Sequence, residues 1–141
     1  TSTPVFSLIS GITNLYGASI YYAHEVGTDQ VNSSGTTSID AFIRSGDFDI
    51  DDGELFMSMR RFMPDYKFLV GNSKVTLFIS DYPSDTQTGS PLGPFTITKT
   101  TDKVDTRARG RLLSLKIEND AAGETWRYGS FRMDAQPDGR R

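Results

Sequence analysis

Residues 47–54, DFDIDDGE, crowd Asp47, Asp49, Asp51, Asp52 and Glu54 into one short stretch. Carboxylates at that density could bind calcium, or pair to activate a water molecule. The calcium loop can be tested by counting. An EF-hand loop opens D-x-D-x-D-G and closes with glutamate at its twelfth position. Counted from Asp47, the sixth position is Asp52, Gly53 falls one place late, and the twelfth position is Ser58. Both the glycine of the sharp turn and the bidentate ligand are missing, so the stretch does not match. Acid–base work needs a carboxylate tuned by burial, and nothing in the sequence suggests that these are buried. Phe48 and Ile50 alternate with Asp47, Asp49 and Asp51. An extended chain would point the two apolar side chains inward and the three carboxylates outward, before DDG turns it. Like charges on one strand face repel, and basic groups opposite would relieve them.

Such groups occur in RARGR (107–111), where Arg107, Arg109 and Arg111 stand two apart. In an extended segment all three point to one side. Three readings stay open. The arginines could form a ladder of salt bridges to acids such as Asp47, Asp49 or Asp51, within a subunit or between subunits. They could form a solvated, charged edge strand that discourages aggregation, or they could contact nucleic-acid phosphates. The net charge of −3 argues against a dedicated nucleic-acid binder. That net figure hides a split: residues 1–59 hold one base, Arg44, against eight acids, and residues 60–141 hold fourteen bases against ten acids. Such segregation suits a dipolar surface for head-to-tail assembly, unless the two signs meet inside one fold.

Enzymatic chemistry has little to stand on. The single histidine, His24, neighbours Glu25 in a β-rich run, where adjacent side chains face opposite ways. It reads as structural. The chain contains no cysteine, which excludes disulfides, thiolate metal sites and a cysteine nucleophile. No nucleophile-elbow, phosphate-loop, dinucleotide or zinc-protease motif occurs. Trp126 and Tyr128 could stack on a sugar, or fill a core. The expectation is a non-enzymatic protein with no metal, no cofactor and no membrane partner.

The elements that would carry these residues are strands. KVTLFIS (74–80), PFTITKT (94–100) and LLSLKIEND (112–120) alternate apolar and polar residues, each with one wet face. SIYYAHEV (19–26) and SIDAFIRS (38–45) are β-rich, and TWRYGSFRMDAQ (125–136) reads as a long strand or hairpin bulged at Gly129. ELFMSMRRFMPDY (54–66) suits a helix or a strand, with strand favoured by its neighbours and Pro64 closing either. Turn signals include VGNS (70–73), SDTQTGSPLG (84–93) as the longest loop, DAAGE (120–124) and PDG (137–139). The fold class is all-β, an antiparallel sandwich or propeller-like portion with at most one short helix. An N-terminal β segment, 1–37, precedes a C-terminal β domain, 38–141. No apolar run approaches the ~18 residues of a membrane span. The chain begins at Thr1 rather than Met, which suggests a trimmed chain or part of a longer one.

Two strings resemble tail proteins of short-tailed bacteriophages. In IDAFIRSGDFDIDDGELFMSMRRFMPDY (39–66), an I-x-x-x-I-x-x-G-x-F-D-I-x-D-G run, Ile39 to Gly53, precedes R-x-x-P-D at Arg61, Pro64 and Asp65. In residues 103–141, R-x-R-G-R-x-x-S-L-x-I-E, Arg107 to Glu118, leads to W-R-x-G-x-x-R-x-D-x-x-x-D-G-R-R, Trp126 to Arg141. The resemblance implies a virion tail structural protein, of the nozzle, hub or packaged-DNA-stabilising type, forming a ring below the portal. It implies copies of itself, the portal or adaptor and other tail proteins as partners, with packaged DNA as a further candidate. It also implies that a chain this short is the C-terminal part of a longer subunit, or a small relative. It carries over no catalytic residues. It makes Arg107, Arg109, Arg111, Asp47, Asp49 and Asp51 candidates for inter-subunit or phosphate contact.

Overall fold

A computed structural model of the protein describes residues 27–32, 35–50, 53–83 and 90–140. It is all-β, and among the described residues there is no helix. The strands are β1 (Asp29–Asn32), β2 (Gly35–Ser38), β3 (Ala41–Arg44), β4 (Leu55–Val70), β5 (Ser73–Ser80), β6 (Ser90–Ile97), β7 (Val104–Gly110), β8 (Leu112–Asn119) and β9 (Thr125–Arg140). β1 and β2 form a hairpin, tied to the β8–β9 turn where the Gly123 amide donates to Asp29 Oδ1 at 2.8 Å. The remaining strands make two antiparallel sheets, ordered β3-β8-β5-β6 and β7-β4-β9.

The sheets pack face to face because their apolar rows have period two. Met57, Met59, Phe62 and Leu69 of β4 share one core with Val75 and Leu77 of β5, Ile97 of β6, and Leu113, Leu115 and Ile117 of β8. Phe62 bridges the layers, edge-on to Phe95 at 5.6 Å and stacked on Phe131 at 5.5 Å. The alternation of 112–120 therefore holds, but its polar face is not uniformly wet. Thr76 and Ser114 are buried there. Ser114 lies directly opposite Phe78, over whose ring the Arg44 guanidinium sits at 4.3 Å.

The structure corrects the sequence expectations at several points. The 54–66 segment is strand, but Pro64 does not end it. Beyond Phe62 only β9 still pairs with β4, so the residue without an amide donor falls where one edge is open. Similarly, PDG at 137–139 is part of β9 rather than a turn, taken up by a register shift against Leu55–Met57. β6 begins at Ser90, so the expected 84–93 loop is cut short. Residues 84–89, the 19–26 run and His24 lie outside the described residues. The bulge expected at Gly129 is present: Asp65 pairs with Ser130 and Tyr66 with Tyr128, leaving Gly129 extra. A Cβ at that position would lie 2.8 Å from the Asp65 carbonyl oxygen.

Gly110 marks the step from one sheet to the other. β7 ends there, Arg111 bends, and β8 starts in the opposite layer, with the Arg111 amide donating to Ser80 O at 3.1 Å. A Cβ on Gly110 would stand 2.1 Å from Ile79 Cγ2. The glycine of RARGR is thus a packing requirement of the crossover.

Candidate functional site

β7 carries Ala108 and Gly110 into the core and turns Asp105, Arg107 and Arg109 outward. Its partner β4 aligns Ser58 with Arg109, and Arg61 with Asp105. On the other side of β4, Arg61 aligns with Asp134 of β9. The outer face of β7-β4-β9 is therefore laid out as rows of opposed charge. Arg61 Nε lies 3.8 Å from Asp105 Oδ1 and 3.6 Å from Asp134 Oδ2. Arg109 reaches across β4 to β9, where its Nε donates to Asp138 Oδ2 at 2.7 Å and its Nη2 to the Asp138 carbonyl at 3.3 Å. Arg132 stands 3.8 Å from Asp65, and Arg140 3.8 Å from Glu54.

Under this ladder lies an aromatic that period-two reasoning had passed over. Phe56 is out of phase with Met57 and Met59, so it points away from the core, yet it is only 5% exposed. The Arg109 guanidinium covers its ring at 4.2 Å and that of Arg111 at 5.6 Å. Long arginine stems shield apolar surface while their heads stay wet, and the ring quadrupole attracts the cation. The available signal was a phenylalanine on the polar phase of β4, together with arginines spaced two apart.

The candidate residues separate accordingly. Arg109 and Arg111 meet over Phe56, and Arg111 Nη2 donates to the Glu54 carbonyl at 3.3 Å. Arg107 is exposed and makes no ion pair among the described residues. It lines an open depression of about 800 Å³ with Ser58, Arg60, Asp105, Thr106 and Arg109. Asp47 and Asp49 are exposed and lie along the other sheet; neither touches these arginines. Asp51 lies outside the described residues. The ladder within the chain thus draws its acids from β7, β9, β4 and the turn before β4. The cause is topological, since β4 separates β7 from β9 while the 47–50 segment runs beside β8.

That acidic segment keeps the expected alternation but not the expected regular strand. Ser45 N–H donates to Leu115 O, and Phe48 exchanges hydrogen bonds with Leu113 at 2.8 and 2.9 Å. Three residues advance on this side against two on β8, which is a bulge. Phe48 and Ile50 still pack on the core while Asp47 and Asp49 stay in solvent.

The ladder is ordered but weak. Its side chains are all at least 42% exposed, and such pairs contribute about 0.2–1 kcal/mol each, less in salt. It sets cross-strand register and surface potential more than stability. Elsewhere, Lys74 pairs with Asp120, and this hydrogen bond raises the lysine pKa. Trp126 and Tyr128 pack on the core; the Trp126 indole donates to Asn119 Oδ1 at 3.0 Å, and Tyr128 meets Tyr66 edge-on at 5.4 Å. Burial raises the pKa of both tyrosines. Among the described residues, no three His, Cys, Asp or Glu side chains cluster as metal donors.

Against known proteins, no family model matches the chain, and the search of curated proteins also finds no match.

Proposed function

We propose that the chain is a structural subunit, or part of one, of a phage tail nozzle or hub ring. It works mechanically, through charge-matched and strand contacts with copies of itself and with portal, adaptor or other tail proteins. The observation carrying this reading is the outer face of β7-β4-β9. Most of its charge is neutralised in register, and Arg107 is left over an open depression beside Arg60. A rigid face with an unspent cation at Arg107 suits contact with an acidic neighbouring surface, such as exposed Asp47 and Asp49 of the next copy. The same cation suits phosphates of DNA in a channel. The resemblance of residues 39–66 and 103–141 to short-tailed phage tail proteins supports the same reading. The alternative, a carbohydrate- or receptor-binding tail module, loses support because Trp126 and Tyr128 are engaged with the core.

The test is sedimentation and negative-stain imaging of the purified chain in low and high salt. Closed rings should form in low salt, disperse as salt rises, and fail to form with Arg107→Glu. A chain without rings under all conditions, or rings indifferent to Arg107→Glu, refutes the reading.

A further inference from the structure

The edges of the two sheets are unequally guarded. β6 carries Pro91 and Pro94 and a register shift against β5. β7 presents Asp105, Arg107 and Arg109, and β9 is bulged repeatedly and carries Pro137. Prolines, charges and bulges are what keep a sheet edge from pairing with another chain. β3 has no proline, and its one charge, Arg44, sits at its end. It is also the most exposed apolar stretch of the described residues, with Phe42 66% and Ile43 54% exposed, and Ile39 just before it at 51%. Ile43 pairs with buried Ile117 and so lies on the core side. Its exposure means that the three-stranded sheet does not reach far enough to cover β3.

The direction of the free backbone groups follows from two hydrogen bonds. Ser45 N–H donates to Leu115 O, and Ile39 O accepts from the Asn119 side chain. Odd-numbered residues therefore turn their amides and carbonyls to β8, and Asp40, Phe42 and Arg44 turn theirs to the open edge. The segment DAFIR reads with opposite charges at its two ends. Laid antiparallel against a second copy about a two-fold axis at Phe42, it places Asp40 opposite the partner's Arg44 twice over, with each Arg44 guanidinium leaving the Phe78 ring over which it sits in the single chain. Phe42 then meets the partner's Phe42, and Ala41 meets the partner's Ile43.

We infer that β3 is a self-complementary docking edge, on which two copies of the chain pair antiparallel through residues 40–44. About six backbone hydrogen bonds close such a register. Aromatic and opposite-charge pairs facing one another across it add to them. The contact is isologous and closes on itself, so it is separate from any ring contact through Arg107 and does not depend on it.

The test is sedimentation velocity of the full chain against concentration, in the Arg107→Glu background so that ring contacts do not interfere. A concentration-dependent dimer is expected. Asp40→Arg or Arg44→Asp alone should weaken it roughly tenfold or more, because each reversal sets like charges opposite at two symmetric places. The double variant Asp40→Arg/Arg44→Asp should restore it. Phe42→Pro should abolish pairing while circular dichroism stays unchanged, since the lost amide faces the open edge and not β8. A monomer at all concentrations overturns the inference, as does a dimer indifferent to both single reversals. Protection of the Phe42 amide from hydrogen exchange that does not vary with concentration would place a segment of the same chain there, and overturns it too.

Discussion

Replacing Gly110 by alanine tests whether the sheet-to-sheet crossover is as tight as the structure has it. The new methyl would stand 2.1 Å from Ile79 Cγ2, 3.6 Å from Ile79 Cβ and 3.2 Å from the Ser80 carbonyl oxygen. Ile79 is β-branched and rotates little on a strand. The Ser80 carbonyl is held by the Arg111 amide. Relief therefore requires the crossover and β5 to separate, a form of overpacking that costs about 1–3 kcal/mol. For a domain of this length, that lowers the melting temperature by about 3–10 °C. Ile79→Ala alone opens a partly exposed site and should cost about 1–2 kcal/mol. In the double variant the methyl fills the space that the isoleucine vacates, so the two losses should fall short of their sum by at least about 1 kcal/mol. Chemical denaturation of the four proteins gives the coupling. If the two losses add to within about 0.5 kcal/mol, the steric account of the RARGR glycine is wrong.

The tyrosine pair offers a test of opposite signs. Tyr128 Oη is buried without a hydrogen-bond partner among the described residues, whereas Tyr66 Oη shares a 2.7 Å hydrogen bond with Ser73. Tyr128→Phe should leave stability unchanged or raise it, and Tyr66→Phe should lower it by about 1 kcal/mol; equal losses would contradict the assignment. Both tyrosines have pKa values raised by burial, so above pH ~10 the unfolded chain ionises first and binds fewer protons than the native one. Stability should therefore fall as pH rises through that range, by at most about 1.4 kcal/mol per pH unit per tyrosine and less for partial exposure. Absorbance titration of Tyr128→Phe against the parent would show one of the two late-ionising phenols removed. Glu124 ties two turns together, with Oε2 accepting from the Asp120 and Ala121 amides and Oε1 from the Asn72 amide. Glu124→Ala should cost about 1–2 kcal/mol and speed exchange of the Asn72 and Ala121 amides, with Glu124→Gln retaining most of the protection.

The parts of the fold legible in the sequence were those governed by side-chain period alone. β5 and β8 emerge from KVTLFIS and LLSLKIEND nearly residue for residue, because each is a central strand with an unbroken apolar row. The boundaries that shifted belong to stretches partnered on one side only. Pro64 sits within β4 because β7 has already ended, and Pro137 sits within β9 at the sheet edge. Which sheet each strand joins is a long-range property that no local period encodes, and the partners of the arginines depended on it. Arg107 and Arg109 were recognisable as outward-facing residues of one strand. Asp138 as the partner of Arg109 was not, since it requires knowing that β4 lies between β7 and β9. Phe56 was hidden for a different reason: it lies on the polar phase of β4, and arginine side chains cover its ring.

The two proposed contact surfaces differ in their physics, and salt separates them. Contacts through Arg107 and its surroundings are between solvated charges, and their reach is the Debye length, about 10 Å at 0.1 M salt and about 3 Å at 1 M. Raising salt through that interval should remove ring contacts almost entirely. Pairing along β3 depends chiefly on backbone hydrogen bonds and on apolar surface that is more than half exposed at Phe42 and Ile43. Salt screens only its two symmetric Asp40–Arg44 pairs. A chain with both contacts should therefore pass from large assemblies to dimers, and not to monomers, as salt rises. Direct passage from assembly to monomer would mean that charge alone holds the copies together. In that case the bare edge of β3 would be an unguarded strand end and not an interface.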